Sequence, residues 1–80
     1  MERDIFTNLG RLLITLGESG GRMRFSDARK RLGTQVYTST MKAIKLGLAN
    51  LKGDYIELTE KGKKIASMLV KCYEIIKKSS

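Results

Sequence analysis

Histidine, proline and tryptophan are missing from this 80-residue chain, and cysteine occurs once, as Cys72. Without His there is no side chain poised near neutrality for general acid–base work, and a lone thiol cannot complete a tetrahedral zinc site. One Cys allows no intramolecular disulfide and fits a reducing compartment. Acids are scarce: 8 Asp and Glu stand against 16 Lys and Arg, leaving a formal net charge of +8. No Gly-rich phosphate loop of the P-loop or dinucleotide type is present. No apolar run approaches the roughly 18–20 residues that span a bilayer, and the opening MERDIFTNLGRLL is charged before any apolar run, unlike a secretory signal. The expectation is an intracellular protein that is not an enzyme, with no metal, no cofactor, no small-molecule ligand and no membrane partner.

What is present is basic charge and helical periodicity. A pI near 9.9 suits a polyanionic partner, nucleic acid before anionic membrane. A chain this short buries only about 60–65% of its unfolded surface, so its core is marginal unless supplemented. With disulfides and metals excluded, oligomerisation is the supplement that remains.

Residues 1–80 read as a single domain, mostly α with a small β-hairpin (α+β), in the order helix, strand, helix, helix, strand, strand, helix. Ile5, Leu9, Leu12, Leu13 and Leu16 form one apolar stripe, predicting a helix over residues 4–16 that ends at Gly17 and the Gly20-Gly21 pair. Arg22-Met23-Arg24-Phe25 alternates basic and apolar, as a short strand with Met23 and Phe25 inward. Ser26 is placed as the N-cap of a helix over 27–32, with Asp27 in its first turn and Gly33 as the turn beyond. A third helix spans 35–46. Placed at about 100° per residue, its inner half collects Val36, Tyr37, Thr40, Met41 and Ile44. Its outer half collects Gln35, Thr38, Ser39, Lys42 and Lys45, without a single acid. Residues 48–51 and 55–58 flank Lys52-Gly53-Asp54 as a hairpin whose tip is too short for a long, flexible loop. Thr59 caps a last helix over 59–78. Ile65, Leu69, Cys72 and Ile76 share a stripe that Ala66, Met68, Tyr73 and Ile75 widen, with Val70 off it. Apolar on more than one side, this helix is expected to meet a second subunit.

The outer residues of the third helix can hydrogen-bond to base edges or reach phosphates, and Arg22, Arg24, Arg29, Lys30 and Arg31 are candidates for backbone contacts. Lys52 at the hairpin tip is a further candidate. A solvated helix face also carries Lys and Thr, so the argument rests on the acid-free face as a whole. Tyr37 either packs its ring in the core or stacks against sugar-phosphate. Cys72, on an apolar stripe, reads as a buried structural thiol rather than a nucleophile; an intersubunit disulfide stays open.

The segment LGTQVYTSTMKAIKLGL, then a hairpin, then IELTEKGKKIA, resembles the winged helix-turn-helix superfamily. It is most similar to small archaeal and archaeal-virus transcription regulators and more distantly to the MarR and PadR groups. The resemblance implies a homodimer on a near-palindromic duplex, with Gln35, Thr38, Ser39, Lys42 and Lys45 on the recognition helix and Lys52 on the wing. The terminal helices would supply the dimer contact through Ile5, Leu9, Ile65, Met68, Leu69, Cys72, Tyr73 and Ile76. The implied function is sequence-specific transcription regulation, more often repression, in the cytoplasm, on the nucleoid or in a virus-infected host cell. Two alternatives stay open: a non-specific architectural or chromatin-type DNA protein, and a protein–protein assembly module.

Overall fold

The computed structural model describes residues 8–79. In chain order it holds α1 (Asn8–Glu18), β1 (Arg22–Arg24), α2 (Phe25–Leu32), a 3-10 turn (Gly33–Gln35), α3 (Val36–Lys45), β2 (Ala49–Lys52), β3 (Tyr55–Leu58) and α4 (Glu60–Ser79). The order helix, strand, helix, helix, strand, strand, helix is the expected one, and the class is α+β. Among the described residues no helix is long and apolar enough to cross a membrane.

α1 lies at the centre. Its Leu12 and Leu16 are fully buried, together with Val36 and Thr40 of α3 and Ile56 of β3. α1 packs along α4 and against α3. Ile5 and the rest of residues 4–7 lie outside the described residues. The helix does not stop at Gly17 as expected but runs on to Glu18. A Cβ at Gly17 would lie 3.2 Å from the Ala66 Cβ and 3.5 Å from Val70 Cγ2, so its bare backbone lets α4 approach. Val70 is accordingly half-buried on the inner side of α4, not off the stripe.

The sheet is antiparallel, in the order β1-β3-β2. Its register sets Arg22 opposite Glu57, Arg24 opposite Tyr55, Asn50 opposite Glu57 and Lys52 opposite Tyr55. Strand alternation turns those residues to one face and Met23, Ile56 and Leu58 to the core. β2 begins one residue later than expected and ends at Lys52, which pairs with Tyr55 and leaves Gly53-Asp54 as a two-residue turn. Gly53 has φ 57 and among the described residues no non-glycine residue has positive φ, the pattern of a type II′ turn, which matches the strand twist. The turn is strapped to the start of α2: Phe25 N–H donates to the Asp54 carbonyl at 2.6 Å.

Two local expectations need correction. Ser26 caps nothing; the helix starts at Phe25 after Arg24 in extended conformation (φ −64, ψ 137), and no side chain caps it. Phe25 is therefore helical and half-buried, not a strand residue. The other cap holds. Thr59 Oγ1 accepts the Gly62 N–H at 3.0 Å and donates to the Gly47 carbonyl at 2.7 Å, fastening the first turn of α4 to the end of the α3–β2 connection.

Candidate nucleic-acid interface

α3 presents its surface differently from the expected division. Its buried residues are Val36, Ser39, Thr40 and Ala43. Ser39 is only 2% exposed, so it faces the core and is not available for contact with a ligand. Tyr37 and Met41, expected inside, are 50% and 61% exposed. The helix is thus turned by most of one residue step, about 100° in an ideal helix. The reason is volume: the side of α3 that meets α1 and β2 carries small or β-branched side chains, which allow close packing, whereas Tyr and Met are too large to fit there. The exposed surface now reads Tyr37, Thr38, Met41, Lys42 and Lys45. It remains free of acids. Gln35 is exposed but stands in the 3-10 turn at the N-terminal end of the helix rather than on it.

α2 borders this surface. Asp27 lies in its first turn and Arg29, Lys30 and Arg31 in its last, each on the side the helix dipole favours. All three cations are exposed. Tyr37 joins the two helices: its ring meets Phe25 at 5.0 Å between centroids, tilted by 57°, and the Arg29 guanidinium lies 5.8 Å above it. The Tyr37 ring is therefore packed against Phe25 on one side but half in solvent, not enclosed in the core. An open depression beside it is lined by Arg24, Ser26, Arg29, Lys30 and Asp54.

The remaining cations collect on the outer face of the sheet. The Arg22 guanidinium lies 4.1 Å from the centre of the Tyr55 ring and that of Arg24 lies 5.6 Å from it. The Tyr55 hydroxyl, hydrogen-bonded to Arg24, raises that guanidinium's pKa further above its ordinary value, so it stays charged. Glu57 holds Arg22 Nε at 3.7 Å and Lys52 Nζ at 3.5 Å. Surface pairs of this kind contribute about 0–1 kcal/mol each and leave the outward cations accessible. Lys52 is thus the last residue of β2, ion-paired across the sheet, rather than a free tip residue.

The residues expected at a subunit contact divide. Leu9, Ile65 and Leu69 pack against the chain's own core. Tyr73 and Ile76 are half-buried, whereas Met68 and Cys72 are exposed on the outer side of α4. Cys72 is therefore not the buried thiol that its stripe suggested. Ile5 lies outside the described residues.

Tyr55 had no assigned role in the sequence reading. Its signal was present in the alternation Tyr55-Ile56-Glu57-Leu58, which turns Tyr55 away from the core, but the strand register that brings Arg22 and Arg24 to it is a long-range fact. Comparison with known proteins finds no matching family model, curated protein or solved structure. What this surface does must be argued from its own chemistry. It offers two hydroxyls or amides at the start of α3, cations along its length and on α2, and aromatic rings positioned beside them. That set suits a polyanion with planar, hydrogen-bonding faces.

Proposed function

We propose that this protein is a winged helix-turn-helix DNA-binding protein that inserts α3 into the major groove of double-stranded DNA and regulates transcription as a homodimer. The observation that carries the reading is the acid-free outer face of α3, where Thr38, Lys42 and Lys45 are exposed around Met41. The architecture supports it. α2 and α3 are joined by the three residues Gly33–Gln35 with Gly33 at φ 75, the short Gly-containing turn of helix-turn-helix motifs. A 10-residue α3 is about 15 Å long, which fits a major groove about 12 Å wide. Lys42 and Lys45 would meet phosphates or guanine edges, Thr38 and Gln35 base edges, and Arg29 the backbone beside α2. The hairpin ends in a two-residue turn tied back to Phe25, so the helix, not the wing, carries most of the contact. Repression by occupying a promoter is the simplest outcome for such a small protein, an inference from fold analogy.

Selection from a random-sequence duplex pool, followed by titration of the selected site against bulk DNA, tests the reading. A regulator gives a specificity ratio of about 10³ or more; a ratio near unity assigns the protein to the architectural class instead. Reversing charge with Lys42→Glu and Lys45→Glu should weaken duplex binding at least tenfold and flatten its salt dependence by about 2 in log–log slope. Unchanged affinity in that folded variant sinks the DNA reading in favour of an assembly role.

A further inference from the structure

We propose that Tyr55 organises a second phosphodiester-binding site on the outer face of the sheet, where Arg22 and Arg24 together grip a backbone phosphate outside the contact made by α3. The inference rests on the DNA reading above but concerns the neighbouring face of the sheet. The depression that holds the pair is lined from α2 by Asp27, Lys30 and Arg31, whereas the depression beside Tyr37 is lined from α2 by Phe25, Ser26, Arg29 and Lys30. The two are neighbours that share Arg24 and Lys30, but only the first includes Arg22 and Tyr55.

Strand geometry sets Arg22 and Arg24 on the same face, two residues apart, with Tyr55 directly across from Arg24. Both guanidiniums lie over the one aromatic ring, at 4.1 and 5.6 Å from its centre. Their charges are therefore no farther apart than those distances summed, about one Debye length at physiological salt (about 8–10 Å). Two like charges at that spacing repel, and the negative face of the ring offsets the repulsion by attracting both. Such an arrangement is relieved further when an anion enters between them. Glu57 engages Arg22 through Nε, and the Arg22 side chain stays 57% exposed; Arg forks match phosphate oxygens in pairs. Lys30 and Arg31 extend the positive surface along α2, while Asp27 and Glu57 at its margins disfavour an isolated multivalent anion. A singly charged phosphodiester, one unit of a nucleic-acid backbone, is the ligand this balance suits.

The test measures binding of a random-sequence duplex of about 25 base pairs by fluorescence anisotropy across a salt series. The proteins are the wild type, Arg22→Gln with Arg24→Gln, Tyr55→Leu, Tyr55→Phe, and the Lys42→Glu, Lys45→Glu pair. One lost phosphate contact should flatten the log–log salt slope of the double Arg variant by about 1. Tyr55→Leu removes no charge yet should flatten it in the same direction and weaken binding several-fold, while Tyr55→Phe, which keeps the ring and loses only the hydroxyl's bond to Arg24, should fall between Tyr55→Leu and the wild type. Equal unfolding midpoints establish that the variants are folded. If the Arg pair leaves slope and affinity unchanged while the Lys pair abolishes binding, the second site is overturned and the α3 reading stands. If the Arg pair matters and Tyr55→Leu does not, the organising role of Tyr55 is overturned. A wild type that binds no duplex removes both.

Discussion

Gly62 shows how a single hydrogen atom can decide a packing arrangement. It sits in the first turn of α4, where replacing Gly by Ala ordinarily stabilises a helix by about 0.5–1 kcal/mol. Here a Cβ would run into the carbonyl group of Leu48, which is backbone and cannot swing aside. That carbonyl also accepts the Thr59 N–H at 2.9 Å. The Thr-Glu-Lys-Gly run thus has one physical meaning: Thr59 caps the helix and holds Gly47, and Gly62 lets the capped end rest on the connection from α3. Gly62→Ala is expected to cost about 2 kcal/mol, the reverse of the usual sign. Thr59→Ala should cost about 1–2 kcal/mol, because a cap and a second hydrogen bond go together. Thermal unfolding at fixed protein concentration checks both, at about 4–8 °C per kcal/mol for a domain of this size. A more stable Gly62→Ala protein would mean that the helix end does not rest on that connection.

At the level of elements, α3 marks where sequence reasoning succeeds and where it stops. Its existence, approximate ends and acid-free surface are legible in one dimension, because helical periodicity and the flanking glycines are local signals. Its rotation is not. Sorting by hydropathy places Tyr37 and Met41 inside and Ser39 outside; the fold sorts by volume instead, because α1 and β2 come too close for large side chains. The same long-range cause hid Tyr55, whose partners are chosen by strand register, and misplaced Val70, which faces Gly17 only because α1 and α4 lie side by side. The buried side of α3 also carries a cost that the sequence does not reveal. Thr40 is 1% exposed, and its hydroxyl has no hydrogen-bond partner. Burying an unpaired hydroxyl is unfavourable, and Val has the same branched shape without it. Thr40→Val is expected to raise the urea midpoint by an amount worth about 1 kcal/mol, with the m-value unchanged. A lower midpoint would mean that the hydroxyl is satisfied in solution.

For the molecule as a whole, stability and symmetry become the same question. A domain of 80 residues buries a modest fraction of its surface, and the inward side of α4 is already committed to α1 and the core. The outward side still carries Met68, 60% exposed, with Cys72 one turn further on. α4 has 20 residues, about 30 Å of helix at 1.5 Å per residue, in a molecule 39 Å along its longest axis. A second copy packed along that stripe through a two-fold axis would bury Met68 against its symmetry mate. It would also offer two α3 helices to one duplex, as half-sites about 34–36 Å apart require. On the proposed homodimer, sedimentation equilibrium at micromolar concentration should find a dimer that persists under reductant, the outcome expected of an apolar seam and not of a Cys72 disulfide. Placing a charge in the seam with Met68→Lys should shift the equilibrium to monomer. Affinity for a full palindromic site should then fall more than tenfold, while binding to an isolated half-site stays the same. The unfolding temperature should depend on concentration in the wild type and lose that dependence in the variant. A wild type that sediments as a monomer throughout this range would leave α4 an internal support alone and would require each α3 to find its half of the site unaided.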